Sequence, residues 1–177
     1  MKTDFNNGMF IGIFVAVIIV LMIRKKRMKN NVYKYDERQE LLRGRAYKAS
    51  FMAIIYFIAL VIFAEFLFDR VFFDHWTFGI LTIIVGVTVN VVYSIFCDSY
   101  FYVNMDKKRY TVFLAIVGVI NLVSGIMVAK NMGILENGMI SFRALNLFVA
   151  LMLAIMLGAI IIKERINRKE EIESEES

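Results

Sequence analysis

Histidine and cysteine each occur once in these 177 residues, as His75 and Cys97. No metal set can be built from that stock, because zinc and iron–sulfur sites need several soft ligands at short spacing, and one thiol cannot form an intramolecular disulfide. No serine or carboxylate pair has a base that the sequence would place beside it, so no catalytic residue, metal or cofactor is expected. Three polar side chains remain inside apolar surroundings: Glu65, Asn90 and Asn121. An ionisable or amide group held in lipid is costly, and it marks either a functional path or a bond between helices. Glu65 is followed by Asp69 one turn on, then by Asp74 and His75. Together they have the chemistry to hold a cation or a proton, or else Glu65 reaches the interface and the others are solvated. Asn90 and Asn121 either bond to each other across neighbouring antiparallel helices, worth about 1 kcal/mol, or line a polar transport path.

The elements that must carry these groups follow from composition. Hydrophobic residues make up 59% of the chain, and the mean hydropathy is +0.64. A water-soluble domain of this length could not cover so much apolar surface, so lipid is the expected solvent. A spanning helix needs about 20 apolar residues at 1.5 Å each. Five stretches approach that length: Gly8 to Ile23 (the shortest), Ala49 to Phe68, Trp76 to Cys97, Thr111 to Ala129 and Ala144 to Ile162. Proline is absent, which removes the commonest cause of a broken helix. The expected fold class is all-α, a polytopic transmembrane helix bundle of about five spans.

Charge orients it. With five spans, seventeen Lys and Arg fall on one side and four on the other, the four being Lys2, Arg70, Lys130 and Arg143. The rich side is expected to be cytoplasmic, which puts the N-terminus outside and the C-terminus in the cytoplasm. The site of such a protein would be the cell membrane, as a multi-pass protein. The leader Met1 to Asn7 lacks the basic character of a signal peptide, so the first span reads as an uncleaved anchor. Six segments result: an anchor over 1–23, a basic juxtamembrane helix within 24–48, a hairpin over 49–97, a cytoplasmic connection over 98–110, a second hairpin over 111–162, and a charged tail over 163–177. The tail is expected to stay helical through Arg165 and then to be disordered, because its glutamates are too dense to pack.

Small residues recur every four positions in two spans, as Gly8, Gly12 and Ala16, and as Ala150, Ala154 and Gly158. Such stripes let backbones approach closely in lipid. The two spans would pack on each other, or the first would pair with itself in a homodimer. The basic run Arg24 to Lys29 would attract anionic inner-leaflet lipids. Net charge +5 does not by itself indicate nucleic acid, and no reading element accompanies it.

Asp36 can cap a helix whose first turn holds Glu37 at the positive end of the dipole. Leu41, Leu42 and Ala46 follow at helical spacing, and Gly44 weakens that helix by about 1 kcal/mol relative to alanine. The stretch Tyr35-Asp36-Glu37-Arg38-Gln39-Glu40-Leu41-Leu42-Arg43-Gly44-Arg45-Ala46-Tyr47-Lys48 resembles the lead-in of small, uncharacterised membrane proteins of low-GC Gram-positive bacteria. In them a D-E-R-Q segment, a basic residue, a glycine and an alanine precede the first helix of a hairpin pair. Asp36, Glu37, Arg38, Gln39, Arg43, Gly44 and Ala46 match, while the extra N-terminal span departs from the usual four. The resemblance implies no enzyme activity and, since members often occur beside small helix-turn-helix regulators, a regulatory partnership. The expected function is therefore a non-enzymatic regulatory or accessory subunit, whose mixed-charge lead-in docks a cytoplasmic regulator or serves as plain juxtamembrane structure. The other class is a small transporter or export/immunity protein using Glu65, Asn90 and Asn121.

Overall fold

The computed structural model describes Met22, residues 36–101 and residues 105–175. Met22 apart, the expected first span, its Gly8, Gly12 and Ala16 stripe and the basic run Arg24 to Lys29 lie outside the described residues. What is described is a helical unit with a two-strand hairpin as its only sheet. The helices are α1 (Glu37–Phe68), α2 (His75–Phe96), α3 (Lys107–Met132) and α4 (Leu145–Glu175), the last entered through a 3-10 turn at Phe142–Ala144. All four are long and apolar enough to cross a membrane. Their large apolar side chains lie exposed along the shafts, among them Phe63, Phe66, Phe113 and Val119. A surface of that kind is at home in hydrocarbon, so the chain is a membrane protein.

The helix starts are written locally. Asp36, Asp74 and Asp106 stand at the N-caps of α1, α2 and α3. The side chains of Asp74 and Asp106 accept from the N–H groups of Thr77 and Arg109, two donors that the first turn leaves open. The lead-in and the second expected span form one helix, since α1 passes through Gly44 without a break. One expectation needs correction: the tail beyond Arg165 is helical to Glu175. A helix already nucleated in the span adds one backbone bond per further residue, and Glu164 with Arg168, and Lys169 with Glu173, stand at the supportive spacing of four.

Packing links the hairpins through their second helices. α2 lies against α1 on one side and α4 on the other, and α3 packs on α4. The buried cluster sits toward one end, where Val91 and Ile95 of α2, Leu114 of α3, and Leu153, Met156 and Ile160 of α4 meet. Two glycines set the helix separations. A Cβ at Gly86 would lie 2.5 Å from Ile54 Cδ1, and one at Gly125 would lie 2.6 Å from Leu147 Cδ2 and 3.0 Å from the Leu147 backbone nitrogen. At Gly125 the helix pair approaches closely at backbone level, whereas at Gly86 the near atoms are the movable end of a side chain.

The two ends of the unit differ. The basic end holds Arg43, Arg45 and Lys48 on α1, Lys107, Lys108 and Arg109 on α3, and Lys163, Arg165, Arg168 and Lys169 on α4. The opposite end, the hairpin end, is closed by β1 (Leu135–Glu136) and β2 (Met139–Ile140), paired antiparallel with Leu135 opposite Ile140. Asn137 and Gly138 turn the strands with φ of 52° and 79°. Two successive positive φ angles match the right-handed twist of a hairpin, and Asn-Gly is the pair that adopts them most readily. Phe73 then joins β2 through a parallel bridge to Ile140, which binds the α1–α2 loop to the α3–α4 hairpin.

Candidate functional site

At the basic end, the first turn of α1 meets the loop that follows α2. The side chain of Gln39 has two tasks. Its Oε1 accepts from the N–H of Asp36 at 3.3 Å, one half of a capping box. Its Nε2 donates to the backbone carbonyl of Asp98 at 2.9 Å and, more weakly, to that of Phe101 at 3.5 Å. Those carbonyls are held in place by a tight reversal after Phe96. Asp98 is left-handed, with φ of 55°. Ser99, fully buried, sends its N–H to Ser94 O at 2.9 Å and its hydroxyl to the same oxygen at 3.3 Å. The Asp98 carboxylate lies 2.8 Å from Lys163 Nζ of α4, whose side chain is only 17% exposed. Asp98 thus ties three helices together: α1 by its carbonyl, α2 by its chain and α4 by its carboxylate. Beside it the Tyr100 and Tyr110 hydroxyls bond to each other, Phe101 meets both rings edge-on, and Lys107 Nζ stands 5.5 Å over the Phe101 ring.

The motif residues divide accordingly. Asp36 and Gln39 are occupied within the molecule. Glu37, Arg38 and Glu40 are exposed. Arg43 is half-buried, and Gly44 is exposed with open space where a Cβ would stand. Ala46, at 0% exposure, is the first fully packed side chain of α1.

At the hairpin end the Glu65 side chain is engaged by backbone. Its Oε1 accepts from Phe72 N–H at 3.0 Å, and its carbonyl accepts from Arg70 N–H, so it closes the turn after α1. Asp74 accepts from Thr77 N–H at 2.9 Å, Thr77 hydroxyl at 2.8 Å and Phe142 N–H at 3.1 Å. Partial burial pushes the Asp74 carboxyl up, but the bonds from Thr77, Trp76 and Phe142 outweigh it and hold it below its usual value. Arg70 Nη2 donates to Gly138 O at 2.7 Å; Arg143 pairs with Glu136 at 3.3 Å and donates to Met132 O at 3.2 Å. A cavity of about 380 Å³ lies here, lined by Glu65, Asp74 and His75 with apolar walls from Ile62, Phe78 and Met139. Among the described residues no group of three His, Cys, Asp or Glu is placed to hold a metal.

The expected bond between Asn90 and Asn121 does not form. Asn121 Nδ2 donates to Val117 O of its own helix at 2.9 Å, and Asn90 Nδ2 is buried with no partner among the described residues. The reason lies in the packing order, since α2 takes α1 and α4 as neighbours while α3 leans on α4. The small-residue stripe of α4 is also split: Ala150 is buried, Gly158 is half-buried and Ala154 is exposed. Ala150 and Ala154 line an open apolar groove of about 400 Å³ between α3 and α4. Close approach is made instead by Gly86 and Gly125, isolated glycines without a four-residue period. Asp98 and Lys163, which read as loop and boundary charges in sequence, turn out to be the centre of the basic end.

A scan of protein-family models finds no match, and neither do searches of the curated proteins and of the solved structures.

Proposed function

We propose that this chain is a non-enzymatic regulatory or accessory subunit of the cell membrane, acting through a cytoplasmic protein that docks on the first turns of α1. The observation that carries the proposal is the division of labour within the motif. Gln39 seats the helix start on the Asp98 loop, while Glu37, Arg38 and Glu40 project from that seat unburied. A helix held by its own bonds presents its charges at low entropic cost, which suits recognition by a partner of complementary charge. The basic end is taken as cytoplasmic because Lys and Arg gather there on α1, α3 and α4, and anionic inner-leaflet lipids would meet the same belt. The residues from Glu37 to Lys48 extend about 18 Å at helical rise, long enough to stand clear of the hydrocarbon. The resemblance of the lead-in to chains found beside helix-turn-helix regulators favours a regulator as the partner; contact with nucleic acid is left to that partner.

The competing reading is a transport path through Glu65, Asn90 and Asn121, and two of those three side chains are engaged in local bonds. Glu65 closes a turn at the hairpin end, Asn121 bonds within its own helix, and the three lie on three different helices. The test is affinity capture from detergent extracts with the full chain and with Glu37→Ala/Arg38→Ala. That pair leaves Asp36 and Gln39, and hence the fold of the helix start, intact. Loss of a specific cytoplasmic protein from the double variant supports the proposal; identical captured proteins overturn it.

A further inference from the structure

No side chain of α1 before Ala46 is buried, although the helix begins nine residues earlier. Gly44 falls between this stretch, in which Gln39, Leu42 and Arg43 are only half-buried, and the packed shaft, in open space on the helix surface. Glycine is the weakest ordinary helix former, so the backbone there opens more readily than at any neighbouring position. Beyond it, Gln39 reaches a carbonyl 59 residues away in sequence and so fastens the start of the helix to another part of the fold. These are the parts of a latch: an arm, a weak point at its base and a fastening near its tip.

We infer that residues 37–45 are a hinged arm, seated by Gln39 on the Asp98 loop and released about Gly44. This concerns the regulation of the same docking surface and rests on that reading only for what the arm presents. Seated, the arm carries Glu37, Arg38 and Glu40 in a fixed frame. Released, it carries them on a short helix free to reorient. Asp98 gives the latch a second consequence. Its carbonyl takes the arm and its carboxylate takes Lys163, so a disturbance of the loop reaches the extension of α4. A partner that favours one position of the arm thereby biases how the loop is held, as any ligand shifts an equilibrium by its differential affinity.

Gln39 offers a clean separation of latch from cap. Gln39→Glu keeps an oxygen to accept from Asp36 N–H and keeps a negative end suited to the first turn. It removes the donor that the Asp98 and Phe101 carbonyls require and sets a carboxylate against them. A purely local capping role predicts a helix start as firm as before or firmer, whereas a latch predicts release.

The experiment is amide hydrogen exchange, read by mass spectrometry on the full chain in lipid nanodiscs, with no partner present. The amides of residues 40–45 report the arm, and those of 47–60 report the shaft. Gln39→Glu is expected to speed exchange in the arm about fivefold while leaving the shaft unchanged, the effect of losing one net hydrogen bond. Gly44→Ala, which meets no atom within 4 Å, is expected to slow arm exchange about fivefold, the helix-propensity difference between the two residues. Exchange in Gln39→Glu that is unchanged or slower, or that rises equally in arm and shaft, would overturn the latch. Gly44→Ala exchanging as fast as the parent would overturn the hinge. Since no partner is present, these results stand whether or not the capture experiment finds one.

Discussion

Replacing Gly125 with alanine probes the helix contact on which the second hairpin depends. The added Cβ would stand 2.6 Å from Leu147 Cδ2, 2.8 Å from Cγ and 3.0 Å from the Leu147 backbone nitrogen. Carbon atoms in contact prefer about 3.5–4.0 Å, so the Leu147 side chain must move and α3 must give way from the α4 backbone by a few tenths of an ångström. A leucine rotamer change can relieve the first two contacts. The third is with backbone and yields only if the helices separate. Overpacking of this kind costs about 1–3 kcal/mol, against which alanine gains at most about 1 kcal/mol as a better helix former. The net expectation is a loss of about 1–2 kcal/mol. Gly118→Ala is the matched control on the same helix, because its Cβ would meet Leu153 Cβ at an ordinary 3.6 Å; it should be neutral or slightly stabilising. Gly86→Ala should fall between them, since its close contacts are the flexible end of Ile54. Reversible unfolding of the three variants in mixed micelles, followed by circular dichroism, gives the order. Equal stability of Gly125→Ala and Gly118→Ala would refute the close approach of α3 and α4.

Asn90→Leu should stabilise the unit by about 1–2 kcal/mol in the same assay, because it removes a buried donor with no partner; a loss of stability would mean that Asn90 bonds to something in the working protein. Asp74→Ala should cost about 1–2 kcal/mol through the lost cap of α2, with the tie to the Phe142 N–H lost as well. Because the folded Asp74 carboxyl titrates below its ordinary value, its contribution is complete above the usual carboxylate pKa and is lost as pH falls through the folded one. The parent should therefore lose stability on acidification below about pH 3.8 by more than Asp74→Ala does; identical acid profiles would remove Asp74 from that role.

Hydropathy made the spans legible, because the demand for apolar surface acts along a whole helix. Each of the four described helices contains or closely overlaps the stretch expected for it. The ends were less legible. Asp36 announced the start of α1 by its residue type, but nothing in 163–177 revealed that a helix nucleated in the span would carry on through the glutamates. The Asn137-Gly138 pair is a hairpin signal by residue type. Tertiary partners were least legible. Gln39 and the Asp98 carbonyl are 59 residues apart, and a backbone acceptor leaves no signature in side-chain types. Sequence neighbours suggested that Asn90 and Asn121 would meet, yet α2 and α3 pack chiefly on other helices. Periodicity pointed to Ala150, Ala154 and Gly158, whereas contact geometry fell to the unrepeated Gly86 and Gly125.

Placing a photo-reactive amino acid at Arg38 and irradiating intact cells tests most directly whether the lead-in of α1 is a docking surface. The account predicts one discrete adduct with a cytoplasmic protein from position 38, reduced by Glu37→Ala, and none from position 66 on the lipid-facing shaft. Adducts at position 38 with lipid or with the chain itself alone would contradict it.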